Sequence, residues 1–318
     1  MTGFRFVSVT PAALGLLSLS CVLGPAPVSA KNVLQGAYCA PQEVLDPAWT
    51  RPPPENESLS ARVAIERGYS ARAIDTARAI GAIAAIERLA EAEARGAPDP
   101  ETVDLRGQVN DAITVATLDV ASVVAHLQCE EGRAGQIAND LRDAEQKQER
   151  RLTAYSLVVS AASAIGAGIL AIAIKDQTDA SIVGISGGVV GGALGFGTLA
   201  VRRTTPFPHG SILGQVWRGG DHPSFPSNVW AFLTRPQFSK SGDRSMRDGV
   251  IEAWKQSGRL GSDPARPSAE RVGLYFGNGG VYDTKGLDDR ANMLSEVREV
   301  VSLMSHDLRL LASEAAHR

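Results

Sequence analysis

The residues best suited to chemistry are few and widely spaced. His209, Asp221 and His222 could form a metal site or an acid–base pair, since imidazole and carboxylate are the usual ligands and proton carriers near neutral pH. Their spacing matches no zinc motif, and His222 stands before Pro223, a setting typical of turns. A serine nucleophile would need a strained strand-to-helix elbow with a base and an acid in context, and no such context is expected here. The run GISGGVVGGALGFG from Gly184 to Gly197 could be read as a phosphate cradle. No G-x-x-x-x-G-K-[ST] follows, no lysine is near, and Ile, Val and Leu fill the gaps. Neither catalysis nor a cofactor nor a bound metal is expected.

The cysteines offer covalent chemistry instead. Residues 1–30 read as a secretory signal: Arg5, an apolar stretch from Phe6 to Leu23, then PAPVSA with Val28 and Ala30 at the −3 and −1 positions. Lipid attachment at Cys21 is the alternative, but Ser18 stands where a lipobox wants Leu. Cleavage after Ala30 leaves Cys39 and Cys129, an even pair in an oxidising compartment, and a Cys39–Cys129 disulfide is expected. The other possibility, a reactive thiol, has no histidine in a catalytic setting nearby. The disulfide would pin an extended, Pro-rich arm, residues 31–57 with Pro52-Pro53-Pro54, against a long helix. Asn56-Glu57-Ser58 matches a glycosylation acceptor, which carries little weight in a bacterial-looking chain.

Composition sets the background. Over 318 residues the net charge is −3, so no basic field is available to hold nucleic acid. Apolar residues make up 44% but aromatics only 5%, which favours Ala- and Val-rich helices whose backbones approach closely. The expected fold is mainly α, in three parts after the arm.

The first part, residues 58–151, reads as a long antiparallel helical hairpin, a coiled-coil stalk. Ser58 is a possible N-cap for a run to about Arg95, with Ala73, Ala77, Ile80, Ala84, Ile83, Ile86 and Leu89 on its apolar face. Gly96-Ala-Pro98-Asp99-Pro100 breaks it, and Glu101 and Asp104 suit the first turn of the next helix. There Val109, Ile113, Ala116, Val120, Val123 and Leu127 alternate four- and three-residue steps. After a polar interruption at Glu130, the series resumes with Ala134, Ile137, Leu141 and Ala144. This is a heptad seam, and the preceding helix is its obvious partner.

The second part, residues 152–203, reads as a transmembrane hairpin. Leu152–Ile174 and Ser181–Val201 carry no charge, are separated by a polar turn, and are flanked by Arg150-Arg151 and Arg202-Arg203. Each is long enough to cross a hydrocarbon core about 30 Å thick. A helical hairpin buried in a soluble core is the alternative. In the second run Gly184, Gly188 and Gly192 repeat every fourth residue, with Gly187, Gly191 and Gly195 beside them. The first run offers counterparts in Ala162 and Gly166, and in Ala164 and Gly168. Rows of small residues let helices approach closely in lipid, where hiding apolar surface gains nothing. In this stretch, about residues 155–200, the chain resembles the glycine-zipper proteins of bacterial envelopes, whose small-residue helices oligomerise in membranes. That resemblance implies self-association in a membrane and no chemistry. The flanking arginines would favour the cytoplasmic side, whereas a cleaved signal puts the same side outside. The signal is the stronger guide, so both large regions are expected beyond the inner membrane.

The third part, residues 204–318, reads as a mainly helical domain holding Trp217, Trp230 and Trp254. SNVWAFLT and Ser245–Ser257 suggest short helices, and VGLYFGNGGVYD a β-hairpin or a Gly-rich loop about Asn278-Gly279. Asp288-Asp289 should open the last helix, in which Leu294, Val297, Val301, Met304, Leu308 and Leu311 form a heptad stripe. That stripe should pack on the tryptophan helices or on a second subunit. His306 should be solvated.

Together these features predict an exported, non-enzymatic bacterial envelope protein with a structural or assembly role. Its expected partners are membrane lipid, further copies of the chain (in a ring or pore), and an envelope protein met by the stalk. A soluble periplasmic binding or interaction module with a buried apolar hairpin is the alternative.

Overall fold

The computed structural model describes Cys39 and residues 61–96, 100–173, 202–220 and 224–317, with residues 155–173 as backbone alone. The described chain is mainly helical and includes one small two-stranded ribbon. Its helices are α1 (Arg62–Glu66), α2 (Ala71–Ala79), α3 (Ile83–Ala94), α4 (Pro100–Ala173), α5 (Ile212–Arg218), α6 (Ser227–Thr234), α7 (Met246–Gln256), α8 (Ala269–Phe276), α9 (Thr284–Ser302) and α10 (Met304–Ala316). The strands are β1 (Thr204–Pro208) and β2 (Gly279–Asp283). The expected signal segment 1–30, Ser58, and most of the expected arm lie outside the described residues.

The single helix expected up to Arg95 is divided into three. Gly68 and Gly81 take φ values of 87° and 75°, left-handed conformations that end a helix and that a residue with a Cβ resists. Ser70 then caps α2, its hydroxyl accepting from the Ala73 amide at 3.2 Å. Of the expected stripe, Ala73, Ala77, Ile83 and Ile86 are buried in one cluster with Ile80 packed against it, and Leu89 is buried in another, whereas Ala84 is exposed.

α4 is 74 residues long, so the expected stalk helix and the first uncharged run form one unbroken element. By length and composition, its Pro100–Ala154 portion is long and apolar enough to cross a membrane. The heptad seam is real: Val109, Ala116, Val120, Val123, Leu127, Ala134, Ile137 and Leu141 are buried. Its partner, however, is chiefly not the preceding helix. α3 meets only the first turns of α4, through Leu89 and Ala92 on Leu105 and an Arg106–Glu93 ion pair at 3.0 Å. From there on the seam is covered by α9 and α10, which run antiparallel to it. Thr284 lies beside Glu145, Arg298 beside Glu131, and Leu311 shares a cluster with Val109. A 12-residue α3 cannot follow a helix of 74 residues, so the seam recruits a partner from the far end of the chain.

Residues 204–317 share a core with α4. Met293, Leu294, Val297, Val301, Met304 and Leu308 join the α4 seam and Trp254 in one cluster. Trp217 stacks on Phe276 at 4.6 Å, Trp254 stacks on it at 5.5 Å, and the Trp254 indole donates to Glu296 at 2.8 Å. Ser245 caps α7, as its position suggested, by accepting from the Asp248 amide. The VGLYFGNGGVYD segment corrects the local-hairpin reading. Its first half lies in α8, and GGVYD is β2, paired antiparallel with β1 from Thr204↔Asp283 to Pro208↔Gly279. Asp283, not Asp288 or Asp289, caps α9, accepting from the Gly286 amide at 2.7 Å.

Leu127 is fully buried and Leu118, on the same helix, is 65% exposed. Leu127→Ala should cost about 2–5 kcal/mol and Leu118→Ala less than about 0.5 kcal/mol, read from denaturant unfolding of each variant. Equal losses would contradict the placement of the seam.

Candidate functional site

The described residues converge where the chain leaves for, and returns from, the uncharged stretch. The Arg203 amide donates to Glu145 Oε1 at 2.8 Å, and its guanidinium donates from Nε and Nη2 to Gln148 Oε1 at 3.0 and 2.7 Å. Glu145 Oε2 accepts from the Thr284 hydroxyl at 3.2 Å, and Arg142 pairs with Asp288 at 2.7 Å. The exit on α4, the start of β1 and the start of α9 are thus tied at one foot. Arg150 and Arg151 lie in the next turn of α4, and they and Arg202 are exposed.

Cys39 and Cys129, singled out from sequence, are brought together as a disulfide with Cα atoms 5.5 Å apart. Cys129 follows Leu118 by eleven residues, close to three full turns, so it faces away from the seam; Cys129 is half-buried and Cys39 is buried. Ala162, Gly166 and Gly168 fall within the helical backbone of α4, and four-residue spacing puts Ala162 and Gly166 on one face. Gly184, Gly187, Gly188, Gly191, Gly192 and Gly195 lie outside the described residues, as do Asp221 and His222. Among the described residues, no group of three His, Cys, Asp or Glu side chains could hold a metal ion.

Sequence reasoning missed a buried ionic cluster. Glu130 and Arg133 on α4 meet Arg290 on α9, and all three are almost wholly buried. Arg133 Nη1 is 3.3 Å from Glu130 Oε1, and Arg290 Nη2 is 3.7 Å from Glu130 Oε2. Arg133 also donates to the Pro208 carbonyl at 2.6 Å and stacks 4.6 Å over the Phe207 ring. Arg290 donates to the Tyr275 carbonyl at 3.0 Å. One carboxylate thus balances two guanidinium groups, fastening the ribbon and α9 to α4. Burial lowers Arg290 to about 10, so it remains a cation at neutral pH. The sole signal in the sequence was the polar interruption of the seam at Glu130.

His209, the third chemical candidate, closes this cluster instead of opening to solvent. Its Nδ1 faces the Gly210 carbonyl at 3.0 Å, and its Nε2 is 2.8 Å from the Tyr282 hydroxyl, which donates to the Leu274 carbonyl at 2.7 Å. A cationic ring could satisfy both neighbours. Burial first, then the charge of Arg290, oppose this and push its pKa down to about 4. Tyr282 is pushed up to about 12, mainly by burial. The ring is therefore neutral and sealed among buried neighbours.

Two outcomes follow. Glu130→Gln leaves two buried cations without a counter-charge and should cost about 3–5 kcal/mol in unfolding experiments. His209 titrates near 6.5 when unfolded and near 4 when folded, so the unfolded chain binds the proton first. Its contribution is complete above pH 6.5 and is lost as pH falls toward 4, on the order of 3 kcal/mol. Melting temperature against pH should fall less steeply in His209→Gln than in the unmodified chain. Parallel slopes would refute the assignment.

Comparison with protein-family models, with curated proteins and with solved structures finds no match.

Proposed function

We propose that the chain is a non-enzymatic membrane protein of the bacterial cell envelope with a structural or assembly role. Residues 152–203 would form a hairpin in the bilayer, and the helical body would remain outside it. The observation that carries this reading is the foot. Arg203 is held on Gln148, so the chain returns from its uncharged excursion to the point on α4 where it left.

Three further features support it. α4 continues as helix from Leu152 to Ala173 with no charged side chain, and at 1.5 Å per residue that length spans a hydrocarbon core of about 30 Å. A helix satisfies its own backbone polar groups, as lipid requires. The more N-terminal apolar stretch of α4 is a poorer candidate for lipid. Its seam is covered by protein, and Asp119 within it accepts from the Asn228 side chain at 2.8 Å.

Within the bilayer the rows Gly184–Gly188–Gly192 and Gly187–Gly191–Gly195 would pack against the Ala162 and Gly166 face and against a second copy of the chain, as the resemblance to glycine-zipper proteins implies. Two rows suit two neighbours, which is the geometry of a ring or pore. Outside the bilayer, Val115 and Leu118 are exposed on the open face of α4 and give the stalk an apolar surface for an envelope partner.

Carbonate extraction followed by mass measurement in detergent tests the reading. The chain should stay in the membrane pellet and emerge as a multiple of its monomer mass. Release as a soluble monomer would favour a periplasmic binding module with a buried hairpin. Replacing Gly188 and Gly191 with Leu should abolish the cross-linked ladder while leaving membrane retention intact, and an unchanged ladder would count against glycine-row packing.

A further inference from the structure

We propose that the foot of the hairpin is a collar that binds anionic phospholipid headgroups. The inference rests on the membrane reading and adds the lipid class that the site would select. Arg150 and Arg151 follow Gln148 on α4 within a single turn, whereas Arg202 and Arg203 arrive from the returning chain. Hydrogen bonds from Arg203 to Glu145 and Gln148 fix the second pair beside the first, although 55 residues separate Arg203 from Gln148. Arg203 spends its guanidinium on Gln148 and serves as the fastening. Arg150, Arg151 and Arg202 stay exposed, and Lys147 is exposed close by.

The acids at the foot do not cancel this charge. Glu145 is engaged by the Arg203 amide and the Thr284 hydroxyl, and Asp288 by Arg142. Across residues 147–151 and 202–203 the only acid is Glu149, against Lys147 and four arginines. The collar also stands at the correct depth. Leu152 opens the uncharged run, so Arg150 and Arg151 lie within one helical turn of the first residue expected in hydrocarbon, and Arg202 directly follows the last uncharged residue, Val201. Guanidinium is planar and donates two parallel hydrogen bonds, a match for the phosphodiester oxygens of a headgroup. Each basic residue near an anionic bilayer raises partitioning by about fivefold, so three together should contribute about a hundredfold.

The test uses the full chain, purified in detergent and reconstituted by detergent removal with vesicles of phosphatidylcholine alone or with added phosphatidylglycerol. Flotation should recover more protein on the phosphatidylglycerol vesicles at low salt. The combined variant Arg150→Gln, Arg151→Gln and Arg202→Gln should lose that preference while keeping the phosphatidylcholine level, its melting temperature and its Cys39–Cys129 bridge. High salt should reduce the unmodified chain to the same level, since the attraction fades beyond a Debye length. Inorganic phosphate should displace no more protein than chloride at equal ionic strength, and selective displacement by phosphate would overturn the lipid assignment in favour of a free anion. A variant that keeps the full phosphatidylglycerol preference, or an unmodified chain that shows none, would overturn the collar and leave the membrane reading standing. Failure to float with either vesicle would overturn the membrane reading itself.

Discussion

The architecture depends on how Arg203 fastens the returning chain to α4. Once its amide and guanidinium are bound to Glu145 and Gln148, the excursion between Leu152 and Val201 has both ends at one place, and whatever surrounds it must be entered and left there. The same residues set the start of β1, and Glu145 also meets Thr284 at the start of α9. A single polar knot thus joins the exit helix, the ribbon and the C-terminal helices. Lysine at 203 could not reproduce it, because two nitrogens of one planar group converge on the Gln148 oxygen.

α4 changes its surroundings along its length, and its side chains change with them. Against α3 it offers Leu105 and Arg106, and against α9 and α10 it offers the heptad seam. Halfway along, the seam gives way to Glu130 and Arg133, which meet Arg290 in a pocket sealed by Phe207, Tyr282 and His209. Such a cluster gains little net stability over apolar packing, and its contacts from Glu130 and Arg133 to Arg290, Pro208 and Phe207 are met in the observed alignment of α9 on α4. Beyond Arg151 the side chains become uncharged, and the helix continues without a break.

Periodicity identified which face of α4 is buried but not what buries it, because a seam reports apolar surface and carries no address for its partner. The preceding helix was the nearest candidate, but Gly68 and Gly81 had already cut it into pieces too short for the task. The disulfide was legible because only one pair of cysteines, Cys39 and Cys129, lies beyond residue 30. The ribbon was not. Asn278-Gly279 promised a local turn, but Gly279 is needed for another reason. Its φ of 104° places a Cβ, were one present, 2.3 Å from the Phe207 carbonyl oxygen, so only glycine lets β2 close on a strand far back in the chain. β1 itself is disguised by Pro206 and Pro208, which occupy its exposed positions, where a missing amide can be tolerated. The foot was invisible for the same reason as the ribbon: its residues are adjacent only after folding.

The central claim is that hydrocarbon surrounds the continuation of α4 beyond the foot. Its most direct test is quenching of a nitrobenzoxadiazole label in vesicles whose lipids carry bromine on their acyl chains. The label would be placed at Ile169→Cys or at Leu118→Cys in chains carrying Cys21→Ser. The account predicts strong quenching at position 169 and none at 118. A label at 169 that ignores brominated chains and responds to aqueous iodide would contradict it.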